Sequence, residues 1–279
     1  MSRRGPAWRD RRVDSGDVEI ATRDWSGCGP DLVLLHGAGP DQRSMARLAA
    51  ALTPYFRVVT YDQRGCGASS AGPWTFATAL DDVHAVIDGY RLTNPVVAGH
   101  SLGGMVAVWY AGEHPDAPAV VNIDGWGPGR PEQYLGEDPA TVRAFQDRFT
   151  RLAPHTPVGR LVDPVIKRTP TARRHKQMLV QAVTCVGETD ILALHRRAAC
   201  PVLAFFCTAP ARGALKLLVG TDGTRMLRSY RRGLRADLAQ LVKDHPNITV
   251  AEIDAPHHVT STNPQLLADR IAAFIRNRG

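Results

Sequence analysis

The sequence predicts an α/β protein: a mostly parallel central sheet with helices on both faces, and a helical segment inserted between two late strands. Two observations carry the core of this prediction. Short runs of branched apolar residues alternate with longer segments whose apolar residues recur three and four apart. Strands alternating with helices build a parallel sheet covered on both sides. The third observation is a break in that rhythm: residues 127–200 are rich in proline and arginine and come between two strands.

In chain order, "DLVLLH" (31–36) is a strand ending at His36-Gly37, and "RSMARLAAAL" (43–52) has helical spacing. "RVVTY" (57–61) is β-branched and runs into the polar loop "DQRGCGASS"; "FATALDDVHAVIDGYRL" (76–92) is helical. "PVVAGH" (95–100) is a strand, "LGGMVAVWYAGEH" (102–114) a helix, and "PAVVNI" (118–123) a strand again. Helical patches such as "PATVRAFQDRFTRL" and "RRHKQMLVQAVTC" fill 127–200, too long a segment for a loop, which reads as a helical cap or lid over one edge of the sheet. "PVLAFF" (201–206) resumes the pattern, followed by a long helical stretch around 224–244, the strand "ITVAEI" (248–253) and the helix "PQLLADRIAAFIRNR" (264–278). The expected organisation is a basic tail over 1–16, a core made of 17–126 and 201–279, and the cap over 127–200.

Composition narrows the class. The chain has 279 residues, 44% hydrophobic and 22% charged, as expected of a soluble globular protein of one large or two small domains. No apolar run approaches the roughly 18 residues of a membrane span, and "MSRRGPAWRDRRV" lacks the apolar stretch of a signal peptide. Five scattered cysteines (Cys28, Cys66, Cys185, Cys200, Cys207) without CxxC spacing read as reduced thiols of a cytoplasmic protein rather than a disulfide framework or zinc site. The formal charge of +7 is a mild field with no Lys/Arg run interleaved with aromatics, so nucleic acid is not an expected partner.

The segment "VVAGHSLGGMVAVWY" (96–110) is the most informative. It sets Ser101 at the carboxyl end of a strand, where open parallel sheets bind ligands, and directly before a helix. Gly99 and Gly103 stand two residues either side, small enough for strand and helix to turn sharply without colliding. This is a G-x-S-x-G nucleophile elbow. It frees the serine hydroxyl from the sheet, and the helix N-terminus favours developing negative charge beside it. The backbone N–H of Leu102 is then one oxyanion donor.

With "LLHGAG" (34–39), "YDQRGCGASS" (61–70), "GHSLGG" (99–104) and "HHVTSTNP" (257–264), the chain resembles the α/β-hydrolase superfamily over nearly all of 17–278, in its serine-nucleophile branch. The resemblance implies a second oxyanion donor on the residue after His36-Gly37, which is Ala38. It implies a base between the last strand and the final helix, commonly seven residues before the helix-opening proline: His257 before Pro264, with His258 as runner-up. Asp62 and Arg64 are expected to brace loops, and Cys66 to be a bystander. The acid departs from the common pattern. The loop after "PVLAFF" reads "CTAPARGALKLL" and holds no carboxylate, whereas "VVNIDGWG" ends the preceding strand with Asp124, a position some members use. Asp124 is the expected acid and Asp222, in "VGTDGTR", the runner-up. Trp126, His36 and His100 are candidate substrate contacts, although strand alternation points His100 away from Ser101.

The expected activity is hydrolysis of a carboxylic ester, lactone or thioester through an acyl-enzyme at Ser101, with no metal or organic cofactor. The partner is a small acyl substrate, anionic or carrier-bound if the arginine-rich cap forms a basic rim. Relatives that use an elbow aspartate, such as epoxide hydrolases and haloalkane dehalogenases, are disfavoured by Ser101. Two other readings stay open: a non-hydrolytic enzyme (cofactor-free oxygenase, C–C lyase or cyclase) using the His257–Asp124 pair, and a ligand-binding protein with a near-idle triad.

Overall fold

A computed structural model describes residues 8–39, 41–152, 169–209 and 214–278, without the side chains of 149–152 and 214–222. Among these residues eight strands form one sheet in the order β1-β2-β4-β3-β5-β6-β7-β8. They are β1 (Arg9–Ser15), β2 (Val18–Asp24), β3 (Asp31–Leu35), β4 (Arg57–Tyr61), β5 (Val96–His100), β6 (Val120–Ile123), β7 (Val202–Cys207) and β8 (Ile248–Ile253). From β4 to β8 every pairing is parallel; β1–β2 and β2–β4 are antiparallel.

Strand alternation explains why the inner runs are apolar throughout. Leu32, Leu34, Val96 and Ala98 face one side, packing with Leu48 and Leu52 of α1 (Ala46–Leu52) and with Leu267 and Ile271 of the C-terminal helix. Val33, Leu35 and Val97 face the other, against Val83 of α2 (Phe76–Tyr90) and Val106 of α3 (Leu102–Glu113). Both faces of these inner strands are therefore dry, the signature of a parallel sheet between helical layers.

The expected tail is a correction. Arg9–Ser15 is the first strand of the sheet, paired residue for residue with β2 through the two-residue turn Gly16-Asp17, with Gly16 at φ +58°. Glycine at the first turn position suits a two-residue hairpin. The core thus begins at Arg9 rather than at residue 17.

Between β6 and β7 lie α4 (Pro139–Leu152), α5 (Pro170–Gly187) and α6 (Ile191–Arg197). Residues 153–168 of the expected cap fall outside the described residues. Helix α5 is seated on the loop after β4: Trp74 N–H donates to Gln181 Oε1 at 2.9 Å, and a Cβ on Gly65 would stand 3.0 Å from that of Met178. After β7 comes α7 (Ala214–Asp244), longer at its start than its spacing suggests. After β8 come the short α8 (Val259–Thr262) and α9 (Pro264–Arg276). No helix among the described residues is long and apolar enough to cross a membrane.

Candidate active site

The strand order sets the ends of β3, β5 and β6 side by side, and each end carries one predicted residue. At the end of β5, Ser101 has φ +54° and ψ −118°. For a residue with a Cβ such a backbone costs about 1–3 kcal/mol and persists only where its surroundings enforce it. The surroundings here are tight. A Cβ on Gly99 would stand 2.1 Å from the Gly103 carbonyl oxygen, across the turn from strand to helix. A Cβ on Gly103 would stand 2.5 Å from the His36 carbonyl oxygen and 2.7 Å from Leu35 Cβ, at the end of β3. The serine side chain makes no helix cap, so its hydroxyl is free for another partner.

That partner is His257, whose Nε2 lies 3.1 Å from Ser101 Oγ. Its Nδ1 lies 2.7 Å from Asp124 Oδ2. The carboxylate accepts, so Nδ1 carries the proton and Nε2 is left to accept from the serine hydroxyl. Asp124, at the end of β6, is also left-handed, with φ +55°. Its other oxygen, Oδ1, accepts from the Cys207 N–H of β7 at 3.0 Å, and its side chain is only 9% exposed against 46% for His257. Burial and the Asp124 charge push the Cys207 thiol up, so it stays protonated beside the carboxylate.

The runners-up fall elsewhere. His258 is exposed and serves through its carbonyl, which accepts from Ser261 N–H and Oγ. Asp222 lies inside α7 rather than in a loop that could fold back; its side chain is outside the description. The backbone N–H of Leu102, first residue of α3, is one of the helix's free donors. Ala38 is exposed on the turn after β3, next to Gly37, where a Cβ would be 3.0 Å from Ser101 Cβ.

Two expected substrate contacts are corrected. His36 is fully buried: Nδ1–H donates to the Gly37 carbonyl at 2.7 Å, and Nε2 accepts from Gln63 N–H at 3.0 Å. Both nitrogens are spent, and burial lowers the affinity of the ring for a proton, so it is a strut under the turn. His100 donates from Nε2 to the His257 carbonyl at 2.7 Å, and burial pushes its pKa down to about 3. It therefore holds the backbone of His257 as a neutral ring instead of meeting a ligand. Trp126 is 6% exposed, stacks on His195 at 4.9 Å and donates Nε1–H to the Phe205 carbonyl. One edge of it borders a cavity of about 200 Å³ with Arg130, Gln133, Val186, Ile191 and Leu234.

The polar loop after β4 is bracing. Asp62 accepts from the backbone N–H of Gln42 and Ala68, and Arg64 forms a buried two-bond pair with Asp82. Cys66 is buried, and its thiol is pushed up by that burial. Sequence reasoning missed His175 of α5, whose Nε2 reaches the Ala38 carbonyl at 3.2 Å. A histidine among the arginines of an exposed-looking helix gives no sign of that reach until the helix is placed. Among the described residues no three His, Cys, Asp or Glu side chains converge as a metal site requires.

The chain resembles known proteins at two levels. A putative carbamate hydrolase of Caulobacter segnis is 35% identical over 131 residues, 45% of this chain and 46% of that protein. A pimeloyl-[acyl-carrier protein] methyl ester esterase of Chromobacterium violaceum is 31% identical over 198 residues, 64% of this chain and 76% of that protein. Several curated relatives are matched over less than half of their own length, down to 28% for an acyltransferase of Arabidopsis thaliana. Among solved structures, a probable hydrolytic enzyme from Pseudomonas aeruginosa PAO1 shares the fold with a TM-score of 0.71 at 16% identity, over 96% of this chain and 94% of that one. The model of the alpha/beta hydrolase family matches residues 32–270, and the chain belongs to that family.

Proposed function

We propose that the protein is a serine hydrolase that cleaves a carboxylic ester, lactone or thioester through an acyl-enzyme at Ser101. The observation that carries this reading is the continuous line Ser101 Oγ, His257 Nε2, His257 Nδ1, Asp124 Oδ2, with links of 3.1 and 2.7 Å. His257 Nε2 takes the serine proton as Oγ attacks the acyl carbon. Asp124 steadies the imidazolium that forms and keeps the ring in the productive tautomer. The N–H groups of Leu102 and Ala38 face the developing oxyanion. His257 then protonates the departing alcohol or thiol, and a water deprotonated by the same ring releases the acid.

The names of relatives support hydrolysis of acyl bonds: a methyl ester esterase, a putative carbamate hydrolase and, among structures that share the fold, an enol-lactonase. A fluorophosphonate probe tests the reading. Prompt labelling of the wild type, lost in Ser101→Ala, together with turnover of a panel of esters, lactones and thioesters, is the expected result. Turnover that survives Ser101→Ala but not His257→Ala would instead assign the His257–Asp124 pair to non-hydrolytic chemistry.

A further inference from the structure

Helix α5 belongs to the segment inserted between β6 and β7, yet one of its side chains ends on the turn after β3. Nε2 of His175 lies 3.2 Å from the carbonyl oxygen of Ala38. A carbonyl only accepts, so this nitrogen carries the proton and donates. Burial lowers the proton affinity of the ring, against the pull of the neighbouring Ala38 and Gly39 carbonyls.

The position of that bond matters because Ala38 joins two peptide planes. The first carries the Ala38 N–H together with the Gly37 carbonyl, which accepts from buried His36 Nδ1–H at 2.7 Å. In a trans peptide the C=O and N–H point opposite ways. The bond from His36 therefore aims the Ala38 N–H away from the core. The second plane carries the Ala38 carbonyl, held by His175. With only the first plane tied, the Ala38 carbonyl and the chain beyond it can still rotate about the Ala38 backbone and pull on the single bond that holds the first plane. With both tied, the two torsions at Ala38 are fixed.

We propose that His175 is a positioning residue: by donating to the Ala38 carbonyl it locks the oxyanion turn from the inserted helix, so that the oxyanion site is complete only with α5 seated on the core. This rests on the serine-hydrolase reading above. The rest of α5 is arranged to hold that seat. His175, Met178, Gln181 and Cys185 follow at steps of three and four, hence on one face of the helix. Met178 abuts Gly65, Gln181 accepts from Trp74 N–H, and Cys185 Sγ lies 3.9 Å from the Trp74 carbonyl. Three contacts anchor the helix to the loop after β4, and the fourth reaches the turn that carries a proposed donor.

The test compares His175→Ala with His175→Gln on a neutral p-nitrophenyl ester that the wild type hydrolyses. Losing a whole oxyanion donor costs about 10²–10³ in kcat, so loosening one should cost roughly tenfold. Expected in His175→Ala are a fall in kcat of about tenfold, a KM within twofold, and a Ki for an alkylboronic acid raised by about the same factor as kcat falls. The boronic acid forms a tetrahedral anion on the serine and so reads oxyanion binding directly. The glutamine amide places an N–H where Nε2–H stood, and His175→Gln should recover most of both quantities. Unfolding temperatures of the variants show whether the fold is intact, and amide hydrogen exchange over Pro170–Gly187 shows whether α5 is still seated; if the alanine variant does not fold, His175→Leu replaces it. An unchanged kcat in the variant without a donor, a change confined to KM, or a loss that glutamine does not repair would overturn the proposal. A wild type that turns over no ester and takes no fluorophosphonate would instead overturn the hydrolase reading, so the two failures are distinct.

Discussion

Asp124 shows how much one carboxylate is asked to do. It accepts from the Cys207 N–H with one oxygen and from His257 Nδ1–H with the other. An asparagine in its place would keep the shape and the first bond but offer an N–H where an acceptor is needed. The imidazole would flip its proton to Nε2, which could then no longer accept from Ser101. Asp124→Asn is expected to lower kcat by roughly 10³- to 10⁴-fold with little change in KM or unfolding temperature. Asp222→Asn should leave turnover within about twofold. A dead Asp222→Asn beside an active Asp124→Asn would reverse the assignment. At this scale the sequence carries much of the candidate site: Ser101 and Asp124 each stand directly after a strand, and His257 follows from the resemblance through its spacing to Pro264. What it does not carry is the second layer. From sequence His36 and His100 are candidate substrate contacts, and only burial and the identity of their acceptors mark them as braces.

At the scale of elements, the joint between β5 and α3 is tightly constrained. Gly103 is the first helical glycine after Ser101, and a Cβ there would press within 3 Å of three atoms of β3 and its end: the His36 carbonyl oxygen, Leu35 Cβ and the Leu35 carbonyl oxygen. Two of these are backbone atoms of a central strand and cannot step aside as a flexible side chain would. A branched side chain adds to the crowding. Gly103→Val is expected to cost a few kcal/mol through overpacking, visible as a fall in unfolding temperature with loss of activity. A variant with unchanged melting and unchanged turnover would mean that α3 can shift off β3 without consequence. The elements the sequence hides are those at the margin. Strand β1 exposes all five of its charged residues and buries only Val13 and Ser15, so it has the composition of a solvated tail; charge of this kind is how an edge strand avoids further pairing. Helix α5 is legible as a helix, but the face it turns inward is not, because that face is marked by histidine, methionine, glutamine and cysteine rather than by a leucine stripe.

For the whole molecule the open question is what the site receives, and the distribution of charge bears on it. Residues 127–200 hold twelve Lys/Arg against seven Asp/Glu, which leaves +5 of the chain's +7 in the segment between β6 and β7. Some of that charge is matched locally, as where Arg130 lies 3.6 Å from Asp190 and 4.0 Å from Asp237. Arg173 and Lys176 are exposed on α5, two residues before and one after the histidine that reaches the turn after β3. A positive rim so placed would raise the encounter rate of an anionic acyl substrate, or of an acyl group on an acidic carrier, and would do nothing for a neutral one. Salt separates the cases, because the Debye length falls from about 8 Å at 0.15 M to about 3 Å at 1 M. The kcat/KM for an anionic or carrier-bound acyl substrate is therefore expected to fall steeply over that range, with kcat little changed, while a neutral short-chain ester responds weakly. Charge reversal at the exposed Arg173 and Lys176 together should reproduce the salt effect at low ionic strength, on the anionic substrate only. Equal salt responses for the two substrates would mean that these charges only solvate the surface and do not select the substrate.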